Sequence, residues 1–208
     1  MADDDQYYAK VLRWLEQHPS EHSDYLVPRT SGVPYKPQLS DEFFQGDRAD
    51  RESGFDTTFR FGPFAGSTHH FAPVCLNSLL YRYEQDMATL VDILRKQGDA
   101  ERWRERAKRR KRAMNTFLWS AREGRFVDYD FVSKQQSSYV YVTSLYPLWA
   151  GLAIPAQARS SSRLLRELEL AHGVQMSTTT SRLQWGRAFW LGSLQLDCSR
   201  RSSPLWIQ

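Results

Sequence analysis

The chain has 208 residues, of which 41% are hydrophobic and 13% aromatic, and its formal net charge is +4. This composition can fill one sizeable apolar core and excludes an intrinsically disordered chain. Its two cysteines, Cys75 and Cys198, are too few for a disulfide framework and show no spacing typical of a zinc site. No apolar run is long enough to span a bilayer, and the acidic start MADDDQYY does not resemble a signal peptide. The sequence as written therefore predicts a cytoplasmic protein without a membrane partner.

Two amphipathic helices are predicted in the first half of the chain. The first covers DDDQYYAKVLRWLEQHP, because apolar residues recur at helical spacing before Pro19. The second covers VCLNSLLYRYEQDMATLVDILRKQG, with Gly98 as the expected stop. One side of this second helix is apolar and is expected to face the core. That side comprises Leu76, Leu79, Leu80, Tyr83, Met87, Leu90, Val91 and Leu94.

A third predicted helix carries most of the positive charge. Its sequence, ERWRERAKRRKRAMNTFLW, has an apolar stripe that includes Trp103, Ala107 and Met114, and basic residues cover the other faces. Such a surface is typical of a solvated helix face. The alternative is that residues 101–118 bind the phosphates of a nucleic acid or an acidic partner. We favour the solvated face and expect no specific binding of nucleic acid.

The remaining elements complete a mostly helical pattern. SSYVYVTSLYPLWAGLA is predicted to form a fourth helix, and PAQARSSSRLLRELELAHG a fifth that begins with proline and ends at Gly173. Only RFVDYDF has the character of a short strand. The sequence therefore predicts an all-α fold class, built from helical hairpins that are joined by loops rich in aromatic and polar residues.

One predicted loop, DRADRESGFDTTFRFGPFAGSTHHFAP, contains a candidate acid. Asp56 lies between Phe55 and Phe59, and Arg60 follows closely. A carboxyl group packed against aromatic rings loses hydration, which raises its pKa and suits a general acid. Spacing alone favours the alternative, in which Asp56 is a structural partner of an arginine in the loop.

Two further polar groups have more than one interpretation. His69 and His70 are adjacent histidines without a nearby Asp, Glu or Cys in a metal-binding pattern, so we interpret them as packing or sugar-facing groups. Asp128 and Asp130 in FVDYDF either bind hydroxyl groups or close a turn, and Tyr129 between them is expected to pack.

Five segments, taken in order, resemble those of the trehalases, the inverting glycoside hydrolases that split α,α-trehalose into two glucoses. They are ESGFDTTFRFG, PVCLNSLLYRYEQDMA, FVDYDF, YPLWAGLA and MSTTTSRLQW. The first resembles the family pattern E-S-G-W-D-x-S-x-R-W, the second P-V-D-L-N-x-L-L-Y, and the last T-S-x-T-x-S-G-Q-Q-W. Phe55 stands where the family has tryptophan, Cys75 where it has aspartate, and Arg182 and Leu183 where it has Gly-Gln. The order of five segments is more specific than any one motif.

The resemblance implies a fold and a set of site residues. The family fold is an (α/α)6 barrel of twelve helices, so residues 1–185 are expected to form part of one. Asp56 is then the general acid, while Arg51, Glu52 and Gly54 shape the same loop. Weaker candidates for sugar binding are Asn77 and Trp185. No metal or other cofactor is expected, and the substrate is trehalose.

The family's general base is a glutamate in a later glycine-rich segment that resembles G-G-G-G-E-Y and has no counterpart in this chain. The fragment is therefore expected to be inactive by itself. The resemblance leaves open the oligomeric state and whether the longer parent protein is cytoplasmic or periplasmic.

Residues 186–208 differ from the family pattern, which continues after Q-W as D-x-P-x-G-W-A-P. Here GRAFWLGS follows instead. Codons that encode this segment, shifted by one base, also encode Asp-Ala-Pro-Phe-Gly-Trp-Ala-Pro. We therefore interpret 186–208 as an out-of-frame tail that was not selected to fold, and its aperiodic pattern agrees with this.

Overall fold

The computed structural model describes residues 2–19, 22–32, 34, 36–55, 58–95, 97–171 and 173–179. The described residues fall into two compact units. The first unit extends to Phe71 and the second begins at Ala72. Among the described residues, none of the helices has both the length and the apolar character needed to cross a membrane.

Helices dominate both units, and the strands are short. The α-helices are α1 (Ala2–Gln17), α2 (Asp41–Ser53), α3 (Val74–Ile93), α4 (Gln97–Ala113), α5 (Tyr146–Trp149), α6 (Pro155–Ser161) and α7 (Leu164–Leu168). The strands are β1 (Phe71–Ala72), β2 (Trp119–Ser120), β3 (Arg125–Phe126), β4 (Tyr129–Asp130), β5 (Gln135–Gln136), β6 (Glu169–Leu170) and β7 (Gly173–Val174). β2 pairs with β3, β4 with β5 and β6 with β7, in each case antiparallel.

The predicted helices are confirmed in the first half of the chain and revised in the second. α1, α3 and α4 coincide with the first three predictions, although α3 ends before Gly98, which lies inside α4. The fourth prediction yields only a 3₁₀ turn at Val142–Leu145 followed by α5. The fifth is divided into α6 and α7, and its end forms the β6–β7 hairpin.

Helix α2 was not predicted, and it begins and ends with clear local signals. Ser40 accepts a hydrogen bond from the backbone N–H of Phe43 at 3.3 Å, and Asp41 and Glu42 occupy the first turn. Acidic side chains stabilise the positive end of the helix dipole there. Gly54 terminates the helix in the left-handed conformation, with a φ of 72°.

The core of the first unit packs α1 against α2 and the segment that follows α2. Its buried apolar side chains are Val11, Leu15, Tyr25, Leu39, Phe43 and Phe64. On α2 the backbone approaches a neighbouring segment closely, because a Cβ on Gly46 would lie 1.7 Å from the carbonyl oxygen of Gly66. Only glycine allows this contact, so it fixes the position of α2 against residues 62–70.

In the second unit, α3 and α4 form an antiparallel hairpin. Arg110 on α4 donates hydrogen bonds to both carboxylate oxygens of Glu84 on α3, at 2.8 and 3.0 Å, and a third to Asn77 at 2.9 Å. Arg104 pairs with Asp92 nearer the connection. The apolar core beside this hairpin consists of Val74, Tyr81, Ala107, Met114, Leu118, Phe126, Ala150 and Leu152.

The apolar side predicted for α3 does not face this core. Leu90 is 52% exposed and Leu94 is 66% exposed, and Leu76, Leu79, Leu80 and Tyr83 are exposed too. The face that is buried instead consists of Val74, Cys75, Ser78, Tyr81, Glu84, Ala88 and Val91. The predicted helix is therefore confirmed, whereas its predicted core face is wrong except at Val91, which is buried, and Met87, which is half-buried.

Removal of Arg110 tests the contribution of the ion pair between α3 and α4. Arg110→Ala leaves the carboxylate of Glu84, which is only 4% exposed, without its bidentate partner. We expect a loss of about 2 kcal/mol in unfolding free energy, less than for a fully buried pair because Arg110 is partly exposed. Urea denaturation followed by circular dichroism measures this loss. Arg112→Ala, an exposed change on the same helix, is the control, and equal losses in the two variants would contradict the assignment.

Candidate active site

Asp56, the predicted general acid, and Trp185, a predicted sugar-binding residue, lie outside the described residues. The chain is described up to Phe55 and again from Thr58. Gly54 ends α2 in a left-handed conformation, and the chain continues from Thr58 through an aromatic segment. Position 56 therefore follows the end of α2 by three residues.

Arg51 and Glu52 lie in the last turn of α2, not in a loop as predicted. The Nε of Arg51 donates to Asp47 Oδ2 at 2.9 Å, and the hydroxyl of Tyr8 donates to the same oxygen at 3.0 Å. The hydrogen bond to Asp47 raises the pKa of Arg51, so its guanidinium remains protonated. Half of the Arg51 side chain is exposed, and Glu52 is exposed as well. Both residues can therefore reach a ligand near the end of α2.

Arg60 is a buried cation that the sequence did not single out as a site residue. Its guanidinium carbon lies 4.7 Å from the ring centre of Phe61 and 5.6 Å from that of Phe55. Cations over aromatic faces are attracted by the ring quadrupole. Phe55 and Phe61 thus hold a positive charge in an environment with little access to water.

Asn77 is half-buried near the start of α3, and both ends of its amide have partners within the protein. Its Nδ2 donates to the carbonyl oxygen of Pro73 at 2.9 Å, and its Oδ1 accepts from Arg110 at 2.9 Å. These bonds fix the orientation of the side chain. Its contact with sugar stays a prediction.

The FVDYDF segment builds turns and caps. Asp128 Oδ1 accepts a hydrogen bond at 2.8 Å from the N–H of Val74, the first residue of α3. Asp130 Oδ1 accepts from the N–H groups of Val132 and Ser133, at 2.9 and 3.0 Å, and so closes the turn between β4 and β5. Tyr129 packs on Phe117, with ring centres 5.2 Å apart. The turn-closing alternative is confirmed for Asp130.

An acidic residue that is distant in the sequence accompanies the two histidines in the fold. Glu42, in the first turn of α2, lies beside both, because the chain folds back onto α2 through the Gly46–Gly66 approach. Its Oε1 is 3.1 Å from His69 Nε2 and 2.7 Å from His70 Nε2. This cluster was missed because Glu42 precedes the histidines by 27 residues.

Two buried carboxylates of α2 were also missed. Asp47 is 6% exposed and Asp50 is 3% exposed. The buried positions of α2 lie on one face of the helix, because they are separated by three, one and three residues. They are Phe43, Gly46, Asp47 and Asp50. That helical spacing could have predicted the buried face of α2. It was overlooked because three of the four residues are not large and apolar.

Several basic side chains of α4 form salt bridges with acidic side chains of the α3–α4 hairpin. Lys108 pairs with Glu105 at 2.7 Å and lies 3.7 Å from Glu101, and Arg102 pairs with Asp99 at 3.6 Å. The side chain of Arg106 lies over the ring of Trp103. Together with Arg104 and Arg110, these contacts agree with a solvated helix face. The absence of nucleic-acid binding stays a prediction.

Comparison with solved structures first identifies the class of fold. The chain is similar to the GH63 mannosylglycerate hydrolase from Thermus thermophilus, with a TM-score of 0.50 and 16% identity over 77% of this chain and 42% of that chain. It is also similar to the neutral trehalase of Saccharomyces cerevisiae, with a TM-score of 0.60 and 36% identity over 66% of this chain and 26% of that chain. The fold class is thus all-α, of the (α/α)6-barrel type found in these glycoside hydrolases.

The family follows from the sequence comparisons. The family model described as Trehalase matches residues 34–190. The cytosolic neutral trehalase of Beauveria bassiana is 34% identical over 201 residues, which are 86% of this chain and 26% of that protein. The cytosolic neutral trehalase of Emericella nidulans is 35% identical over 188 residues, or 81% of this chain and 24% of that protein. The chain belongs to the trehalase family, and it spans about a quarter of the length of these relatives.

Proposed function

We propose that this chain forms part of the catalytic domain of a trehalase that hydrolyses α,α-trehalose to two glucoses with inversion. The observation that carries the proposal is the trehalase family match over residues 34–190, a range that includes Asp56 and the end of α2. Asp56 acts as the general acid that protonates the glycosidic oxygen. An inverting glycosidase needs this acid and a base about 6.5–9.5 Å away that activates water.

The residues near Asp56 have distinct proposed roles. Arg51 stays cationic and half-exposed at the end of α2, so it donates hydrogen bonds to sugar hydroxyls, while the exposed Glu52 accepts them. Gly54 turns the chain from α2 toward position 56. Asn77 and Trp185 are assigned weaker roles in sugar binding, the indole face of Trp185 suiting the C–H surface of a pyranose.

The activity belongs to a polypeptide longer than these 208 residues. The matched relatives are about four times as long, and no residue of this chain is assigned the role of general base. The same relatives carry the word cytosolic in their names, which supports a cytosolic location for the longer protein.

A chimaera tests the proposed reaction. Residues 34–185 of this chain replace the matching segment of the Saccharomyces cerevisiae neutral trehalase, and glucose release from trehalose is measured. Proton NMR of the first products is expected to show one β-glucose for each α-glucose, because water inverts only the anomeric carbon that it attacks. Release of α-glucose alone at early times would exclude inversion, and a folded chimaera without activity would contradict the proposed function.

The isolated 208-residue chain is expected to release no glucose from trehalose above the rate in buffer. General acid assistance alone does not activate water, and the chain supplies no assigned base. A coupled glucose assay at high protein concentration measures the rate. A chain denatured by heat is the control, and glucose released faster by the native chain than by the denatured one would show that the missing base is present here.

A further inference from the structure

Glu42, His69 and His70 form a cluster that none of the trehalase roles uses. All three lie in the first unit, with Glu42 in the first turn of α2 and the histidines in a 3₁₀ turn, Thr68–His70. One ligand atom from each lies within 4.8 Å of the others. We propose that these three side chains bind a divalent transition-metal ion, with zinc as the favoured ion.

The spacing of the ligand atoms fits such an ion. Zinc binds imidazole nitrogen and carboxylate oxygen at about 2.0–2.2 Å, so tetrahedral ligands lie about 3.3 Å apart. Glu42 Oε1 is 3.1 Å from His69 Nε2 and 2.7 Å from His70 Nε2. Both distances are shorter than this value, and a small outward shift of Glu42 Oε1 would bring them to it. Three protein ligands leave a fourth position for water.

Several polar atoms of the cluster lack a hydrogen-bond partner of acceptable geometry among the described residues. Within the described part of the chain, Oε1 of Glu42 and both ring nitrogens of His69 are buried and make no hydrogen bond of acceptable geometry, although Nε2 of His69 approaches the carboxylate closely. Buried polar atoms without hydrogen bonds are unfavourable. A metal ion between the three groups would use the carboxylate oxygen and one nitrogen of each imidazole.

The chemical type of the ligands is also suitable. A neutral imidazole offers the lone pair of one ring nitrogen to a metal ion. Glu42 supplies one negative charge at the positive end of α2. Two imidazoles and one carboxylate favour zinc, copper or nickel over magnesium and calcium.

The bound ion would join the start of α2 to the turn that precedes α3. The 26 residues between Glu42 and His69 would then form a closed loop that contains position 56. Closing a loop reduces the conformational freedom of the unfolded chain. The ion would therefore have a structural role, which is to stabilise the fold of the first unit. This role does not depend on trehalose hydrolysis.

Metal binding is measured on the complete 208-residue chain after treatment with a chelator. Equilibrium dialysis with zinc chloride, followed by metal quantification, is expected to give one zinc per chain and a higher melting temperature. Magnesium chloride is expected to give neither result. An absence of stoichiometric zinc would overturn the proposal, as would equal binding of magnesium.

Variants locate the site. Glu42→Gln and His70→Gln are expected to weaken zinc binding at least tenfold, because even changes to the partners of metal ligands cost tenfold or more. His18→Gln is the matched control, since His18 hydrogen-bonds to Trp14 O outside the cluster, and it should bind zinc as the wild type does. Unchanged affinity in both cluster variants would overturn the proposal.

A spectroscopic measurement decides the question if the cluster variants fail to fold. Cobalt bound to the wild-type chain is expected to show the intense visible absorption of a four- or five-coordinate ion with nitrogen ligands. The weak spectrum of octahedral aqueous cobalt would overturn the proposal.

Discussion

In the active chimaera, Asp56→Asn is expected to lower the rate of trehalose hydrolysis by about 10²–10⁴-fold, equivalent to roughly 3–5 kcal/mol of activation barrier. The amide keeps the shape of the carboxyl group and much of its hydrogen bonding, but it has no acidic proton to deliver. The departing glucose is a poor alkoxide leaving group and needs that proton as its bond breaks. Initial rates of glucose release measure the effect.

A second substrate distinguishes a loss of general acid catalysis from a loss of folding stability. A glucosyl fluoride loses fluoride with less protonation, so Asp56→Asn is expected to retain markedly more activity on this substrate than on trehalose. Asp86→Asn, which changes an exposed carboxylate of α3, is the matched control and should leave both rates within a few-fold of the parent. If Asp56 were only a partner of an arginine, the variant would lose thermal stability and both activities together. Trehalose hydrolysis within a few-fold of the parent would end the assignment.

Gly46→Ala is expected to disrupt the first unit, with a loss of more than about 4 kcal/mol in unfolding free energy. A Cβ at position 46 would lie 1.7 Å from the carbonyl oxygen of Gly66 and 2.2 Å from its carbonyl carbon. Backbone atoms cannot move aside as a flexible side chain does, so α2 would have to separate from residues 62–70. Limited proteolysis with mass spectrometry is expected to find new cleavage sites within residues 36–71.

Gly98→Ala is the control for this change. Gly98 lies in the first turn of α4, and a Cβ there would meet no atom within 4 Å. Alanine has a higher helix propensity than glycine, so stability should be unchanged or higher by up to about 1 kcal/mol. Equal resistance of the Gly46→Ala variant and the wild type to protease would contradict the close approach of the two glycines.

The sequence predicts helices well where apolar residues recur at helical spacing. α1, α3 and α4 were found in this way. α2 was not, because its buried face contains two aspartates and a glycine, whose burial depends on partners elsewhere in the chain such as Tyr8. The fifth prediction was too long, because the continuous pattern gave no sign of the breaks at 162–163 and in the β6–β7 hairpin.

The candidate site was predictable only in part. Asp56 was predicted from a local motif and from the resemblance to trehalases, and neither requires knowledge of distant contacts. The association of Glu42 with His69 and His70 depends on a chain reversal and on the approach of two glycines that are 20 residues apart. No periodic pattern encodes such a contact. The periodicity of α3 likewise identified an apolar side of the helix. It could not predict whether other residues of the chain pack against that side.

The exposed apolar side of α3 affects how the 208-residue chain behaves once it is synthesised. Leu79, Leu90 and Ile93 present hydrocarbon to water, and Ile93 is 70% exposed. Extended surfaces of this kind promote self-association and are recognised by chaperones. In a solution of these 208 residues alone, this exposed face of α3 therefore favours self-association.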